Sequence, residues 1–367
     1  MLSRRSFLAA AGVAACAPLA EPVPDEAVGL DALAAAKGLR FGAALQPRHF
    51  ADAAYVAVVR RETGVIVGEN AQKWHVIARD AAPNYAEADA LAGFAAVNGL
   101  RLRGHALLWY LHVPTWWEQL GDRAAAERAM LAHLERTVSR YRGRIASWDV
   151  VNEAIEPADG RNDGLRRAVF LDRFGDGYLQ RAFAAARNAD PTCQLVYNDY
   201  GFEYATRWHE RRRRALLDLL ARFRRDGTPI DAVGLQSHLV AGQAFDAALW
   251  RRFLAEIAAM NYRIVVTELD VTDAALPADI AARDAGVADE YRRFLDATLD
   301  EPAVEAVLTW GLTDRWSWLR SPAATPQAIR RDGAAARPLP FDDALRRKPA
   351  WSAIARAFAA APARPRA

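Results

Sequence analysis

Two glutamates that end apolar runs are the residues of this chain best suited to acid–base chemistry. Glu153 closes the run 147–153 (SWDVVNE), and Glu268 closes the run 263–268 (RIVVTE). Burial after such runs favours the protonated form of a carboxyl group that lacks a fixed partner. Two carboxyl groups that flank one bond can hydrolyse a glycosidic linkage, because one protonates the leaving oxygen while the other attacks the anomeric carbon or activates water. Either glutamate alone would more simply form a structural ion pair with an arginine. The two together, with Asn152 beside Glu153 and His238 available to Glu268, favour catalysis.

Polar or indole side chains also end the other apolar runs of the chain. A polar residue that leaves a strand is usually a turn former or a helix cap, but seven of eight runs end in this way. Trp109, Trp310 and Trp318 lie at or beyond run ends, where an indole suits the apolar face of a sugar ring. Short-range donors and acceptors that suit vicinal hydroxyls stand around them, namely Glu69, Asn70, Lys73, His105 and Gln236.

Eight predicted strands alternate with predicted helices after about residue 30. Apolar spacing of three and four predicts helices such as Tyr178–Ala189, Arg211–Arg225 and Leu249–Met260. The predicted strands are Leu39–Leu45, Val65–Val67, Arg101–Trp109, Ile145–Val151, Gln194–Asn198, Ala232–Gln236, Arg263–Thr267 and Val304–Gly311. Strands separated by helices pair in parallel, so the pattern predicts a single α/β domain over residues 30–360, a (β/α)8 TIM barrel. In such a barrel the carboxyl ends of the strands gather on one face, which would bring the polar residues into one cleft.

Length and charge agree with an ordinary globular protein. The chain has 367 residues, 52% hydrophobic residues and a formal net charge of +3, which excludes collagen-like, coiled-coil and largely disordered chains. Acidic residues are interleaved with basic ones almost everywhere, so nucleic acid is not expected as a partner. The basic run 211–214 (RRRR) is predicted to be the solvated side of an amphipathic helix, not a binding site. We expect a monomer.

The amino terminus has the pattern of an export signal. Arg4 and Arg5 directly precede an apolar run, small residues follow, and the run is too short to span a bilayer. Residues 1–25 are therefore expected to be a twin-arginine signal peptide, with the mature protein periplasmic, secreted or lipid-anchored. Cys16 ends a segment, VAAC, that is either a lipobox or a chance cysteine in an alanine-rich signal. A lipid anchor at Cys16 would be the only membrane contact, and residues 361–367 are expected to be a disordered tail.

Seven motifs in order resemble those of glycoside hydrolase family 10. The similarity runs from about Leu39 to Trp351. The motifs are Glu69-Asn70 with Lys73-Trp74, Arg103-Gly104-His105 through Trp109, 148–153 (WDVVNE), 197–200 (YNDY), Gln236-Ser237-His238, 267–270 (TELD) and Trp310-Gly311 to Trp318. Members of this family are mainly endo-β-1,4-xylanases built as (β/α)8 barrels, so the resemblance implies a xylan-like polysaccharide or oligosaccharide as substrate.

The resemblance also implies roles for single residues. Glu153 would be the acid/base and Glu268 the nucleophile of a retaining double displacement, which requires carboxyl groups roughly 5–5.5 Å apart. Asn152 would bind the 2-hydroxyl of the sugar being cleaved, and His238 would hold the nucleophile ionised. The other implied substrate-binding residues are Glu69, Asn70, Lys73, His105, Trp109, Asn198, Gln236, Trp310 and Trp318. No metal ion and no organic cofactor follow from this chemistry.

Two departures from the family pattern concern the substrate more than the reaction. Tyr110 and His112 stand where the family usually has histidine and glutamine, and Ala71-Gln72 replaces an acidic-methionine pair. A bulkier Tyr110 would narrow the cleft and favour short or decorated oligosaccharides. Two alternatives therefore stay beside the xylanase: a retaining glycanase of the same fold that acts on glucan or on short or decorated oligosaccharides, and a surface barrel that binds glycan without hydrolysing it.

Overall fold

The computed structural model describes residues 28–80, 82–321, 324 and 326–364. The twin-arginine segment and Cys16, on which the export and lipidation predictions rest, lie outside the described residues. Within the described part, no helix combines the length and the apolar character needed to cross a membrane.

A closed parallel barrel of eight strands forms the centre of the fold. The order around the barrel is β10, β1, β2, β3, β5, β6, β7 and β9, and the pairing of β9 with β10 closes it. Two short strands, β4 and β8, extend the carboxyl-terminal side against β5 and β9. The strands are β1 (Arg40–Leu45), β2 (Val65–Gly68), β3 (Arg101–Gly104), β4 (Leu108–Trp109), β5 (Ser147–Asn152), β6 (Gln194–Asp199), β7 (Ala232–Leu235), β8 (His238–Val240), β9 (Arg263–Thr272) and β10 (Val304–Thr309). The (β/α)8 barrel predicted from the sequence is confirmed.

Helices separate consecutive barrel strands, as parallel pairing requires. They are α1 (Leu30–Ala35), α2 (Ala53–Glu62), α3 (Trp74–Ile77), α4 (Ala86–Val97), α5 (Thr115–Glu118), α6 (Arg123–Arg140), α7 (Val169–Phe174), α8 (Tyr178–Ala189), α9 (Arg207–Arg225), α10 (Ala247–Ala259), α11 (Ile280–Thr298) and α12 (Pro349–Ala360). Short 3-10 segments cover Pro47–Ala51, Pro157–Asp159, Asp314–Trp316, Trp318–Arg320 and Pro326–Ala328.

Side-chain caps fix where several helices begin. Asp52, Asp246 and Asp279 each accept a hydrogen bond from a backbone N–H in the first turn of α2, α10 and α11, which satisfies a donor that the helix itself leaves free. After α10 the chain turns at Asn261, whose φ of +61° lies in the left-handed region that asparagine tolerates. These local signals fix where the helices that connect the barrel strands begin and end.

Two apolar layers support the barrel. Val65, Val67, Val196, Val265 and Leu308 belong to a buried cluster of strand residues, and a larger cluster fills the space between strands and helices. Trp74, Trp117, Trp148 and Trp351 are buried. The single cysteine of the described part, Cys193, is free and buried, so packing holds this part of the chain together without a disulfide.

The arginine run on α9 differs from the expectation of a solvated basic side. Arg212 is fully buried, and its Nε and Nη1 donate to the carbonyl oxygens of Tyr200 and Ile155 at 2.8 and 2.9 Å. Its Nη2 donates to Asp199 at 2.5 Å. Arg213 is also buried and donates to backbone carbonyls. Half of this run therefore ties loops near the mouth of the barrel to α9, because a buried guanidinium needs acceptors for all its N–H groups.

The expected disordered tail is wrong for residues 361–364. The Arg364 guanidinium donates to the carbonyl oxygens of Val304 and Leu299 at 2.8 Å and of Glu301 at 2.9 Å, and the side chain is buried. The composition of this segment, rich in alanine, proline and arginine, did not show that a single arginine would anchor it. Residues 365–367 lie outside the described residues.

Candidate active site

Glu153 follows β5, the fourth strand of the barrel, at its carboxyl end. The backbone of Glu153 has a φ of +60°, a left-handed conformation that non-glycine residues seldom adopt. Its N–H donates to the carbonyl oxygen of Asn198 at 2.9 Å, and its carbonyl oxygen accepts from Nε of Arg166 at 2.9 Å. These two bonds hold the turn that directs the side chain into the mouth of the barrel.

The carboxyl group of Glu153 is surrounded by neutral donors. Oε2 accepts from Nε1 of Trp109 at 2.8 Å, and Oε1 accepts from Nε2 of Gln236 at 2.9 Å and from Nδ2 of Asn152 at 3.2 Å. Burial raises the pKa of Glu153 despite the bond from Gln236, which alone would lower it. This environment therefore favours the protonated form of Glu153 more than water does.

Glu268 lies within β9, the seventh strand of the barrel, and faces two imidazole rings. Its Oε1 is 3.9 Å from Nδ1 of His105, and its Oε2 is 3.4 Å from Nε2 of His238. Burial alone would raise its pKa, but the positive charge of His105 and the bond and charge of His238 outweigh burial and lower the pKa of Glu268 to about 2. This carboxyl group is therefore ionised at neutral pH.

Each imidazole is held by an aspartate behind it. Nδ1 of His238 is 2.8 Å from Oδ1 of Asp270, and Nδ1 of His105 is 2.9 Å from Oδ2 of Asp149. Burial would lower the pKa of His238, but the charges of Asp270 and Glu268 raise it well above its usual range. The resulting imidazolium lies between two carboxylates, which fixes its orientation and keeps its charge next to Glu268.

Three amide side chains join the two glutamates. Nδ2 of Asn198 donates at 2.8 Å both to Oε1 of Glu268 and to Oδ1 of Asn152. Nε2 of Gln236 lies 3.3 Å from that same Oδ1 and also donates to Glu153. The two carboxyl groups thus belong to one hydrogen-bond network at the carboxyl-terminal mouth of the barrel.

Asn198 has a different place from the one expected of a sugar ligand. Its side chain is fully buried, with Oδ1 accepting from the hydroxyl of Thr267 at 2.7 Å and Nδ2 occupied by Glu268 and Asn152. Because the side chain is fully buried and both N–H groups of Nδ2 already have acceptors inside the protein, Asn198 positions other side chains and does not reach a substrate. Asn198 is therefore a positioning residue for Glu268 and Asn152.

Four further predicted residues, Glu69, Asn70, Lys73 and Trp109, lie near the two glutamates. Nζ of Lys73 donates to Oδ1 of Asn70 at 2.9 Å and lies 4.6 Å from the ring centre of Trp109. Burial lowers the pKa of Lys73 to about 8, against the opposing charges of Glu268, Glu69 and Glu153. Burial also raises the pKa of Glu69, whose carboxylate accepts from Gln46.

The other two predicted tryptophans stand against the histidines. Trp310 makes edge contacts with His105 and His238, with ring centres 5.3 and 6.5 Å apart. The ring centres of Trp318 and His238 are 5.2 Å apart, and Nε1 of Trp318 donates to Oδ2 of Asp270 at 2.6 Å. The indoles therefore help to hold the rings that face Glu268.

Sequence reasoning missed several residues that orient these groups. Asp149 lies inside the 148–153 motif and holds His105, but its place within a strand-forming run gives no sign of that contact. Gln46 directly follows β1, so the rule that polar residues end the strands would have found it. Arg166 comes from the loop after β5, and its contact with the Glu153 backbone has no local sequence signal.

This arrangement can perform acid–base and nucleophilic chemistry without further groups from the protein. One buried carboxyl group favours its protonated form and the other its ionised form, and both lie in one network. The described residues hold no cluster of three or more histidine, cysteine, aspartate or glutamate side chains suited to a metal ion.

Comparisons with known proteins agree with this geometry. The sequence model of glycosyl hydrolase family 10 matches residues 29–357. The chain is 32% identical to endo-1,4-beta-xylanase 1 of Humicola insolens over 98% of this chain and 79% of the relative. It is 33% identical to endo-1,4-beta-xylanase A of Phanerodontia chrysosporium over 90% of this chain and 77% of that relative.

Solved structures give the same picture. Native xylanase 10B of Thermotoga maritima superimposes with a TM-score of 0.79 and 29% identity over 90% of this chain and 98% of that chain. The endo-1,4-beta-xylanase XylE of Penicillium canescens does so with a TM-score of 0.81 and 28% identity over 92% of this chain and 99% of the other. Xylanase 10B of Thermotoga petrophila RKU-1, with a TM-score of 0.80 and 27% identity over 90% of this chain and 97% of that one, was solved in complex with xylobiose.

Proposed function

The chain belongs to glycosyl hydrolase family 10, and from that premise we propose that it is a retaining endo-β-1,4-xylanase, which hydrolyses internal β-1,4-xylosidic bonds of xylan. One observation carries the proposal beyond similarity. The two buried glutamates of one network have opposite pKa shifts, raised for Glu153 and lowered for Glu268. A double displacement needs one carboxylic acid and one carboxylate on either side of the scissile bond.

In the first step, the Glu268 carboxylate attacks the anomeric carbon while Glu153 protonates the oxygen of the leaving sugar. The bond from carbon to that oxygen breaks, and a covalent glycosyl-enzyme forms. In the second step, Glu153, now ionised, takes a proton from water as the water oxygen attacks the same carbon and releases Glu268. Two inversions at one carbon give net retention. Asn152 is hydrogen-bonded to Glu153 and is linked to Glu268 through Asn198, and the remaining N–H of its Nδ2 would donate to the hydroxyl next to the reacting carbon.

The substrate assignment rests on the relatives and on the chemistry of the cleft. The Thermotoga petrophila enzyme in complex with xylobiose has this fold. Lys73, Asn70 and Trp109 form a contact group of cation, amide and indole next to the glutamates, and such groups suit the hydroxyls and apolar face of a sugar. The decisive experiment identifies the products released from purified xylan and their anomeric configuration by NMR. Internal cleavage with β-configured first products is expected. First products of α configuration would overturn the retaining mechanism.

Two alternatives are tested in the same assay. A panel of xylan, soluble cellulose derivatives and aryl glycosides of xylobiose and cellobiose separates a xylanase from a glucanase. Saturable binding of these glycans without turnover of any of them would favour a non-hydrolytic glycan-binding barrel.

We further propose that Tyr110 tunes chain-length preference. The guanidinium carbon of Arg166 lies 4.4 Å from the centre of the Tyr110 ring. Burial raises the pKa of Tyr110 to about 12, so the ring is a neutral wall next to Glu153. The change Tyr110→His should raise kcat/KM on long xylan relative to an aryl xylobioside by a few-fold, since the wall becomes smaller. An unchanged ratio would remove Tyr110 from the determinants of substrate length.

Export remains a proposal that rests on the sequence of residues 1–25. Fusion of this segment to a reporter that is active only after folded export, with Arg4→Lys/Arg5→Lys as the control, tests the twin-arginine prediction. Labelling with a fatty-acid analogue, with Cys16→Ser as the control, tests the lipid anchor. Light scattering of the purified mature chain tests the expected monomer.

A further inference from the structure

A cavity of about 1250 Å³ opens at the end of the barrel opposite the two glutamates. Its wall contains residues at the amino-terminal side of all eight barrel strands together with α1. Two acidic residues line it, Asp231 and Glu305, against six arginines. The arginines are Arg40, Arg101, Arg103, Arg187, Arg224 and Arg263. The amino-terminal face of such a barrel usually serves stability, so a large, positively charged space there needs its own explanation.

Ion pairs inside the protein account for only part of this charge. The surface pairs are Arg40 with Asp31 at 3.4 Å, Arg263 with Glu305 at 3.2 Å, and Arg187 with Asp231. Neither Arg101 nor Arg224 forms an ion pair with a carboxylate among the described residues. Arg101 acts on Asp31, which Arg40 already pairs, only through its charge, and Arg224 donates to backbone carbonyls. The cavity therefore keeps an excess of positive charge after its own acids have been paired.

Arg103 lines the cavity and has one N–H group without an acceptor among the described residues. It is only 3% exposed. Its Nε donates to the hydroxyl of Ser147 at 3.1 Å, and its Nη2 donates to Asp149. Its Nη1 is buried and meets no acceptor among the described residues. A buried charged N–H without an acceptor is costly, so this atom needs an acceptor that the described residues do not supply.

We propose that this cavity is a binding site for an oxyanion, a carboxylate or phosphate group carried by a small ligand. The oxyanion accepts from Nη1 of Arg103, and Arg101 and Arg40 at the rim meet the remaining negative charge. Guanidinium groups bind carboxylates and phosphates through charge-assisted hydrogen bonds of matching geometry. A water molecule would satisfy Nη1 without drawing on the charge of Arg40 and Arg101, so binding of anions but not of a neutral sugar distinguishes the two occupants.

The site is connected to the catalytic residues through Arg103. Asp149, which accepts from Arg103, also holds His105, whose Nδ1 is 3.9 Å from Glu268. Substitution of Arg103 would therefore disturb the active site directly. Among the described residues, no hydrogen bond or ion pair joins Arg40 or Arg101 to Arg103, Asp149 or His105. The proposal can therefore be tested at Arg40 and Arg101 without changing the catalytic residues.

The test measures binding of inorganic phosphate, glucuronate and neutral glucose to the purified protein by calorimetry and thermal unfolding, at ionic strength held constant with sodium chloride. The test variant is Arg40→Gln/Arg101→Gln, and Arg101→Gln alone serves if the double variant is unstable. The matched control is Arg128→Gln/Arg251→Gln, which removes the same charge from exposed positions that do not line the cavity. Turnover of an aryl xylobioside reports that each variant is folded.

The expected result is saturable binding of phosphate, glucuronate or both, none of glucose, and an affinity reduced by about tenfold or more in the test variant, the loss expected for two charge-assisted bonds. The control variant should bind like the wild type. Preference for phosphate or for glucuronate identifies the source of the oxyanion. Absence of saturable binding up to about 50 mM, where stabilisation by a specific ligand would be measurable, would overturn the proposal. So would an equal loss in both variants, since that outcome describes general charge screening.

Discussion

The surroundings of Glu153 and Glu268 differ in charge and in little else. Both side chains are buried, both lie at the carboxyl ends of barrel strands, and both accept hydrogen bonds from amide groups. Glu153 has an indole and amides around it, whereas Glu268 has two imidazoles backed by aspartates. The pKa of the same residue type is therefore shifted in opposite directions, because burial prevails over neutral hydrogen-bond donors at Glu153 and is outweighed by positive charge at Glu268. Four substitutions test this comparison, given in order of expected effect.

Removal of the Glu268 carboxylate should cost the most. The change Glu268→Ala deletes the atom that forms the covalent intermediate, so kcat on xylan should fall by about 10⁴-fold or more. Single-turnover kinetics with an aryl xylobioside measures the loss. The shape-conserving Glu268→Gln serves as the control, and substantial activity in both variants would exclude Glu268 as the nucleophile.

Loss of the Glu153 carboxyl should depend on the leaving group. For xylan, Glu153→Ala should lower kcat by about 10²- to 10⁴-fold, the usual contribution of a general acid. A dinitrophenyl xylobioside needs no protonation to leave, so its first step should be nearly unaffected, and a burst of dinitrophenol followed by slow turnover is expected. Equal losses on both substrates would contradict the role of Glu153 as acid/base.

The change His238→Asn should raise the pKa of Glu268, as burial raises that of Glu153. Without the imidazolium the effect of burial prevails, so the pKa of Glu268 rises from about 2 toward and beyond that of an ordinary glutamate. Glu268 must be ionised to react, and the acidic limb of the kcat/KM profile should therefore move to higher pH, with about 10²-fold lower activity at the optimum. An unmoved acidic limb would show that His105 alone sets the charge of Glu268.

Loss of the Gln236 amide should have the smallest effect on activity. It should move the basic limb of the pH profile, whereas His238→Asn moves the acidic limb. Its bond to Oε1 favours the ionised form of Glu153, so Gln236→Leu raises the pKa of Glu153 further. Because Glu153 must be protonated, activity would then persist to higher pH, and the basic limb of the profile should move up while kcat falls by about tenfold. A basic limb that moves down would mean that Gln236 stabilises the protonated form.

Most of the fold was predictable because one rule governs it. Apolar runs of strand length alternate with segments of helical spacing, and α8 spans the predicted residues 178–189 without change. Strand ends were displaced where a strand continues past its apolar run, as β9 does from the predicted end at Thr267 to Thr272. Hydrophobicity cannot show that extension, since Glu268 and Asp270 are polar residues that continue to pair.

The sequence predicted the principal residues of the site but not the buried residues that hold them in position. Glu153, Glu268 and His238 end or follow strands, which is a signal that sequence carries. Asn198 has the same signal, yet it is fully buried beneath the site, because a strand end alone does not tell which side chains reach the surface of the mouth. The burial of Arg212 was equally invisible, since its acceptors lie 13 and 57 residues away in the chain.

The left-handed backbone conformation at Glu153 sets a trade-off between thermal stability and catalytic activity. A side chain other than glycine or asparagine in this conformation costs about 1–2 kcal/mol, and a buried carboxyl group adds to that cost. Replacement by glycine or asparagine should therefore raise the melting temperature while it abolishes hydrolysis of xylan. Selection for thermal stability alone would therefore act against this glutamate, so a search for a more stable enzyme must hold position 153 fixed.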